Sequence, residues 1–464
     1  MPRLSERLRS GWLRLEPARV DLPSGTVPFQ LGLFYGRSDL APGTRWWDRR
    51  VGVVVDAIRP ASLRRLEAGV SATHRGLLAG GSTYGSSLAA GASVTNMSLA
   101  ALGGGALPNL RKLTRGLSVR TWTRSGAATV GHIWSELRAA MRIRMAVDAP
   151  EQTRAPFGHG VSAVLMRNLF VEMALKDIRA GVPVVFLNFF GHDRLSHHLG
   201  PAAPEVFDYL AAADADIERL IRSAEQSGRP WNTALFSDHG QHEARPFEVM
   251  YGMTVEELVR GVLRATAVSE PKHTRPLVLC SGNLAHIYLS GPRALRVEEL
   301  EGRFPGLVGV LRRHQGIGLV AARAGDGGLW LGTPGHAASI PEGQPVPSKL
   351  ALGPNGPSIV NRVRPLLAQE DAGDLVLFGS EIDGKLVSFL RQWGCHNGFL
   401  GDQLDAFLAT SPDLHLQLPT QGVPSALHRQ LWDLRSGGIE ADAGTVSGDL
   451  VGAPNRSGSE ITSP

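Results

Sequence analysis

The 464-residue chain has only two cysteines, Cys280 and Cys395. That excludes a disulfide framework and any zinc site built from several thiolates. No stretch of about 18 apolar residues occurs, so nothing in the sequence reads as a membrane span. The first nine residues carry basic side chains with no apolar segment behind them, which is not the pattern of a signal peptide. Runs of five or six like charges are also missing. With 48 basic against 43 acidic residues the formal charge is only +5, and no nucleic-acid partner is indicated.

Apolar residues make up 43% of the chain, enough for a large core. Strand-like and helix-like patterns alternate along it, and that alternation predicts an α/β fold with a mostly parallel sheet covered by helices on both faces. Residues 1–435 read as one domain with a Gly/Ser-rich insertion at about 60–160. Residues 436–464 are mostly Gly, Ser, Asp and Thr and read as a disordered tail. Within the insertion, residues 80–105 contain Gly-Ser-Thr-Tyr-Gly and Gly-Gly-Gly but no dinucleotide or P-loop fingerprint. They read as a flexible or closely packed surface segment.

Three distant segments place metal-binding side chains directly after apolar runs that read as buried strands. Residues 182–190 lead into Gly-His-Asp193-Arg-Leu-Ser-His197-His198, residues 232–236 into Ser-Asp238-His239-Gly, and residues 387–393 into Gly-Cys-His396-Asn-Gly. In open α/β sheets ligands collect at the carboxyl ends of strands, and carboxylate with imidazole suits zinc, manganese and related cations. Asp193 and His197 are four apart, which puts them on one face of a helix. Any one of these segments alone is more often a helix cap or an ordinary turn. Their co-occurrence favours a metal site.

A nucleophile candidate lies in Pro23-Ser24-Gly25-Thr26. A hydroxyl at the start of a helix sits at the positive end of the helix dipole, beside backbone N–H groups able to hold a phosphate. A nearby cation would lower the pKa of that hydroxyl. Thr26 also fits a plain N-cap. Ser24 stands too far ahead of the helix to be preferred.

Taken together, Pro-Ser-Gly-Thr26, Asp193-x-x-x-His197, Ser-Asp238-His239-Gly and Gly-x-His396-x-Gly resemble the alkaline phosphatase superfamily, in particular its type I phosphodiesterase/nucleotide pyrophosphatase branch. The motif order matches over roughly residues 20–410. The resemblance implies an alkaline-phosphatase-like catalytic domain and hydrolysis of phosphate esters through a Thr nucleophile and two divalent metal ions, zinc first and manganese second. It assigns Asp193, His197 and His396 to one metal, and Asp238, His239 and Thr26 to the other. Arg45 and Asn283 are weaker candidates for substrate contacts. The expected ligand is a phosphate-ester small molecule or nucleotide.

The sequence departs from the family pattern at its start. The family's second metal takes one more Asp from an N-terminal strand ending in Asp-Gly. Here only 25 residues precede Thr26, and their acidic members are Glu6, Glu16 and Asp21. No apolar strand is read there, which predicts that the N-terminal strand is missing and that the native product carries it upstream. Asn397, where the family has Gly, is a milder departure. Two alternatives accompany the hydrolase reading: a catalytically impaired relative that binds a phosphorylated ligand or partner, and a mutase or phosphonate hydrolase using the same ligands. The expected location is cytoplasmic by default, unless an N-terminal segment is absent.

Overall fold

The computed structural model describes residues 1–102, 157–266, 276–289, 291–350, 352 and 356–436. Most of the expected insertion (103–156) and the expected tail (437–464) lie outside the described residues.

The chain starts with α1 (Pro2–Arg9), β1 (Arg14–Arg19) and α2 (Thr26–Tyr35). The hairpin β2 (Arg45–Asp48) and β3 (Val53–Asp56) follows, then α3 (Pro60–Ser71), β4 (Ser82–Tyr84), β5 (Val94–Met97) and α4 (Leu99–Leu102). Next come α5 (Phe157–Ala180), β6 (Val185–Leu187), α6 (Gly191–Leu199), α7 (Pro204–Glu225), β7 (Ala234–Phe236), β8 (His242–Pro246), α8 (Phe247–Tyr251) and α9 (Val255–Thr266). The second half holds β9 (Leu277–Ser281), β10 (Leu284–Tyr288), α10 (Val297–Arg303), α11 (Leu307–Arg313), β11 (Ile317–Arg323), β12 (Leu329–Gly332), β13 (Ala337–Ile340) and α12 (Gly356–Ala368). It closes with β14 (Leu375–Gly379), β15 (Glu381–Ile382), β16 (Lys385–Ser388), β17 (Gly394–Cys395), β18 (Asp405–Thr410) and α13 (Val423–Ser436).

The fold is α/β, with the strands divided among several sheets. Parallel pairing occurs in β5-β4-β6 and between β8 and β16. The largest sheet, β13-β12-β11-β14-β10-β9, is antiparallel throughout and so differs from the parallel sheet expected. Its strands are nonetheless apolar on both faces, because it is covered on both sides. Leu319, Ala321, Val376 and Phe378 join the larger core with Ile359 and Val363 of α12. Their neighbours Val320, Ala322, Leu375 and Leu377 join a second core with Leu307 and Leu311 of α11. Alternation of side chains along each strand makes that division.

Three readings change in physical terms. Residues 80–102 are not a surface segment: Ser82, Thr83 and Tyr84 are buried, and β4 is the middle strand of the parallel trio. Small residues there let strands and turns approach closely; a Cβ on Gly81 would stand 2.4 Å from the Val184 carbonyl oxygen. Leu63, Val70, Leu77, Leu88 and Ala100 all belong to the larger core. The runs at 182–190 and 232–236 are half-buried, and among the described residues β6 and β7 are each the outermost strand of their sheets. No ladder joins them among the described residues, although Phe186 and Phe236 meet with ring centroids 6.3 Å apart. Finally, a strand does precede Thr26: β1 pairs antiparallel with β18. It is polar and exposed except at Ala18, which is why hydrophobic pattern alone misses it. No strand ending in Asp-Gly is present among the described residues.

The two halves are joined by a buried ion pair. Arg49 donates to Asp374 at 3.0 Å with both side chains almost wholly excluded from solvent. Asp374 also accepts from the backbone N–H groups of Leu289 and Leu295. Removing one partner strands the other charge. Arg49→Leu is therefore expected to cost about 3–5 kcal/mol in urea unfolding. A loss below about 1 kcal/mol would show the carboxylate to be solvated.

Candidate metal centre and nucleophile

Helix α6 begins straight after β6 and carries Asp193 in its first turn, where the dipole favours a negative charge. Its entry needs glycine: a Cβ on Gly191 would stand 2.5 Å from the Tyr209 ring. One turn on, His197 Nε2 lies 3.3 Å from Asp193 Oδ2. The neighbouring His198 is exposed, and it is His197 that lies against Asp193.

His396 comes from the other end of the chain, just after β17. Its Nε2 is 3.6 Å from Asp193 Oδ1 and 3.2 Å from His197 Nε2, 199 residues away. Both glycines of Gly394-Cys-His396-Asn-Gly398 have a steric reason. A Cβ on Gly394 would meet the Ser196 carbonyl oxygen at 2.6 Å, and one on Gly398 would meet Asn283 Oδ1 at 2.2 Å.

The tautomers follow from the backbone. His197 Nδ1 faces the Gly394 carbonyl at 2.7 Å, His396 Nδ1 the Ser24 carbonyl at 2.7 Å, and His239 Nδ1 the Gly240 carbonyl at 2.9 Å. A carbonyl only accepts, so each Nδ1 carries the hydrogen and each Nε2 presents its lone pair inward. Asp193 Oδ1 is buried without a hydrogen-bond partner. The ligand atoms of Asp193, His197 and His396 lie within 4.8 Å of one another. Two imidazole lone pairs converging on one carboxylate call for a proton or a cation between them, and this donor set fits zinc.

Electrostatics agrees with that geometry. Burial opposes the Asp193 charge, but His197 by charge and hydrogen bond, with His396 and His239, outweighs it and holds the carboxyl well below the usual range. Burial likewise opposes protonation of His197, and Asp193 more than offsets it, raising the pKa. Burial, reinforced by His239, pushes His396 well below the ordinary imidazole value and keeps it a neutral ligand.

Thr26 stands beside this cluster. It is the first residue of α2, with Gly25 as N-cap in an extended conformation and no side-chain cap bond, so the capping role does not fall to Thr26. Its Oγ1 lies 3.3 Å from His239 Nε2. The His239 ring stacks on His396, with centroids 3.8 Å apart and planes at 16°, and Asp238 Oδ2 is 3.7 Å from His239 Nε2. Thr26, Asp238 and His239 thus adjoin Asp193, His197 and His396 as one patch.

None of the upstream acids adds to it. Glu6 pairs with Arg9, Glu16 is exposed on β1, and the Asp21 carboxylate accepts from the Gly422 N–H at 2.9 Å. The two weaker candidates also go elsewhere. The Arg45 guanidinium pairs with Asp56 across the β2–β3 hairpin. Asn283 is wholly buried behind the ligand loop: its Nδ2 donates to the Val387 carbonyl and its backbone N–H to the His396 carbonyl.

Several contributors carry little sequence signal. Ser24 donates from Oγ to the Gly398 carbonyl and accepts from the Asn397 N–H, which clamps the His396 loop to the Thr26 loop. His192, one residue before Asp193, faces Asp238 and His239 as well; burial lowers its pKa.

Residues 100–299 match the type I phosphodiesterase / nucleotide pyrophosphatase family. That span includes Asp193, His197, Asp238 and His239. No curated protein matches the chain in sequence. Among solved structures it is similar to murine ectonucleotide pyrophosphatase / phosphodiesterase 5, an inactive form in complex with AMP. The identity is 16%, covering 57% of this chain and 59% of that one, with a TM-score of 0.34. The human counterpart gives 16% identity, 61% of each chain and a TM-score of 0.35. The chain thus spans about three fifths of the length of these solved chains.

Proposed function

We propose that the chain is a metal-dependent hydrolase of phosphate esters, taking a phosphodiester or nucleotide and using Thr26 as nucleophile, a reading supported by the match of residues 100–299 to the type I phosphodiesterase / nucleotide pyrophosphatase family. The observation that carries this reading is the contact of Thr26 with His239, which stacks directly on His396 of the Asp193–His197–His396 cluster.

The residues divide the work. His239 Nε2 lies 3.3 Å from Thr26 Oγ1 and fixes where the hydroxyl stands; its single lone pair takes the hydroxyl hydrogen in the metal-free site and would turn to the cation when one is held there. The first-turn N–H groups of α2, which no intrahelical carbonyl reaches, face an arriving anion with the positive end of the dipole. Asp193, His197 and His396 would hold one cation, and Asp238, His239 and Thr26 a second, zinc by donor type with manganese also suited. When bound, such cations supply Lewis acidity that lowers the hydroxyl pKa and neutralises charge on the phosphoryl oxygens. Thr26 Oγ1 then attacks phosphorus, the ester oxygen leaves, and water hydrolyses the phospho-threonine.

Chelation should abolish turnover of a chromogenic phosphodiester, and Zn²⁺ or Mn²⁺ should restore it. Turnover indifferent to both treatments would remove the metal from the account. One observation favours a second reading. The Thr26 half offers only Asp238, His239 and a hydroxyl among the described residues, fewer strong donors than catalytic zinc ordinarily has. A chain that binds phosphate and metal but turns over no ester at any metal concentration would be the impaired relative instead.

A further inference from the structure

Asn397 follows the ligand His396 and has a positive φ of 80°, a conformation that Asn tolerates better than other residues with a Cβ. Only 2% of it is exposed, and its Oδ1 has no hydrogen-bond partner. One arm of the carboxamide lies 3.1 Å from His396 Nδ1. That nitrogen already donates to the Ser24 carbonyl. A carboxamide NH₂ there would face an N–H, so the oxygen belongs on that side and the NH₂ on the other. The other arm lies against Gly25, 2.6 Å from where a Cβ would stand. Gly25 has an extended backbone that any residue adopts; the carboxamide explains why the position has no side chain.

From this geometry we propose that Asn397 is a catalytic residue whose NH₂ donates to a nonbridging phosphoryl oxygen of the group bound at Thr26. The inference rests on the hydrolase reading and adds a specific oxyanion donor to it. The carboxamide is buried and held from behind by His396. Its backbone N–H is fixed on Ser24 Oγ at 3.0 Å, and its outer arm lies against Gly25, the N-cap of α2 and the neighbour of Thr26. A donor fixed in place before the substrate arrives stabilises developing charge without reorganisation.

Two substitutions separate this role from one of merely supporting His396. Asn397→Gly keeps the left-handed backbone and removes the carboxamide. Asn397→Asp keeps an acceptor for His396 Nδ1–H and puts an oxygen where the NH₂ stood. Zinc-loaded wild type and both variants are compared for metal content, orthophosphate affinity by calorimetry and turnover of a chromogenic phosphodiester. Metal content is expected to stay the same in all three. Asn397→Gly should weaken orthophosphate binding by about tenfold and lower kcat by about 100-fold, and Asn397→Asp should lose more. Wild-type behaviour in Asn397→Asp with loss only in Asn397→Gly would make Asn397 a support for His396 and overturn the proposal, as would wild-type behaviour in both. Wild type that binds orthophosphate through Asn397 yet turns over no ester upholds the donor while the hydrolase reading fails. Wild type that does neither overturns both.

Discussion

Thr26→Ala is expected to lower turnover of a phosphodiester by about 10⁴-fold or more, the scale seen when a nucleophile is removed from a site whose other parts remain. The fold should tolerate the change. Gly25 is the N-cap and makes no side-chain cap bond, so no cap is lost. What goes is one hydrogen bond between Oγ1 and His239, worth about 1 kcal/mol. Thermal unfolding should therefore shift by a few degrees at most, and the metal content proposed for the Asp193, His197 and His396 cluster should not change. Thr26→Ser keeps the hydroxyl and should retain measurable turnover. A fully active Ala variant would demote Thr26 to a structural helix residue and leave the phosphate site without a nucleophile.

His396→Ala should remove about one tightly held zinc per chain, because three protein ligands become two and a two-ligand site holds zinc poorly. The loss is predicted despite the 199 residues between His396 and His197, since only the folded sheets bring the two rings together. The substitution also deletes the imidazole that His239 stacks on. Its effect on turnover should then exceed the effect on metal content alone, as the Thr26 partner loses its platform. Elemental analysis of dialysed wild type and variant measures the first effect. Equal zinc in both would separate His396 from the metal.

The cluster was legible in the sequence because its signals are local. A spacing of four on a helix brings Asp193 and His197 together whatever the rest of the fold does. Two glycines flanking His396 announce a backbone pressed against its surroundings, and the contacts with the Ser196 carbonyl and Asn283 Oδ1 are what they make room for. The paired strands β9 and β10 and the helices α7 and α11 follow from periodicity in the same way. What sequence reading missed depends on partners far along the chain. Whether β6 and β7 lie inside a sheet or at its edge is not written in their apolar runs. Nor is the direction of pairing in the large sheet, where both faces are buried under helices and hydrophobic continuity looks the same for parallel and antiparallel strands. β1 escaped notice because only Ala18 on it is buried. Asn397 looked like a minor deviation from glycine until the Gly25 backbone was seen against its carboxamide. Arg45, beside Trp46 and Trp47, and Asn283, in Ser-Gly-Asn-Leu-Ala-His, carried only weak local signals, and the fold sends one to Asp56 and the other behind the ligand loop.

The central claim is that phosphorus passes through Thr26. The direct measurement is mass spectrometry of zinc-loaded enzyme quenched in acid during steady-state turnover of a phosphodiester. The account predicts that the proteolytic peptide containing Thr26 gains the mass of the transferred phosphoryl group, with its ester substituent if the substrate was a diester, and that the adduct is absent from Thr26→Ala. Turnover with no adduct on that peptide under conditions that trap acid-stable phosphate esters, or an adduct on another residue, would contradict it.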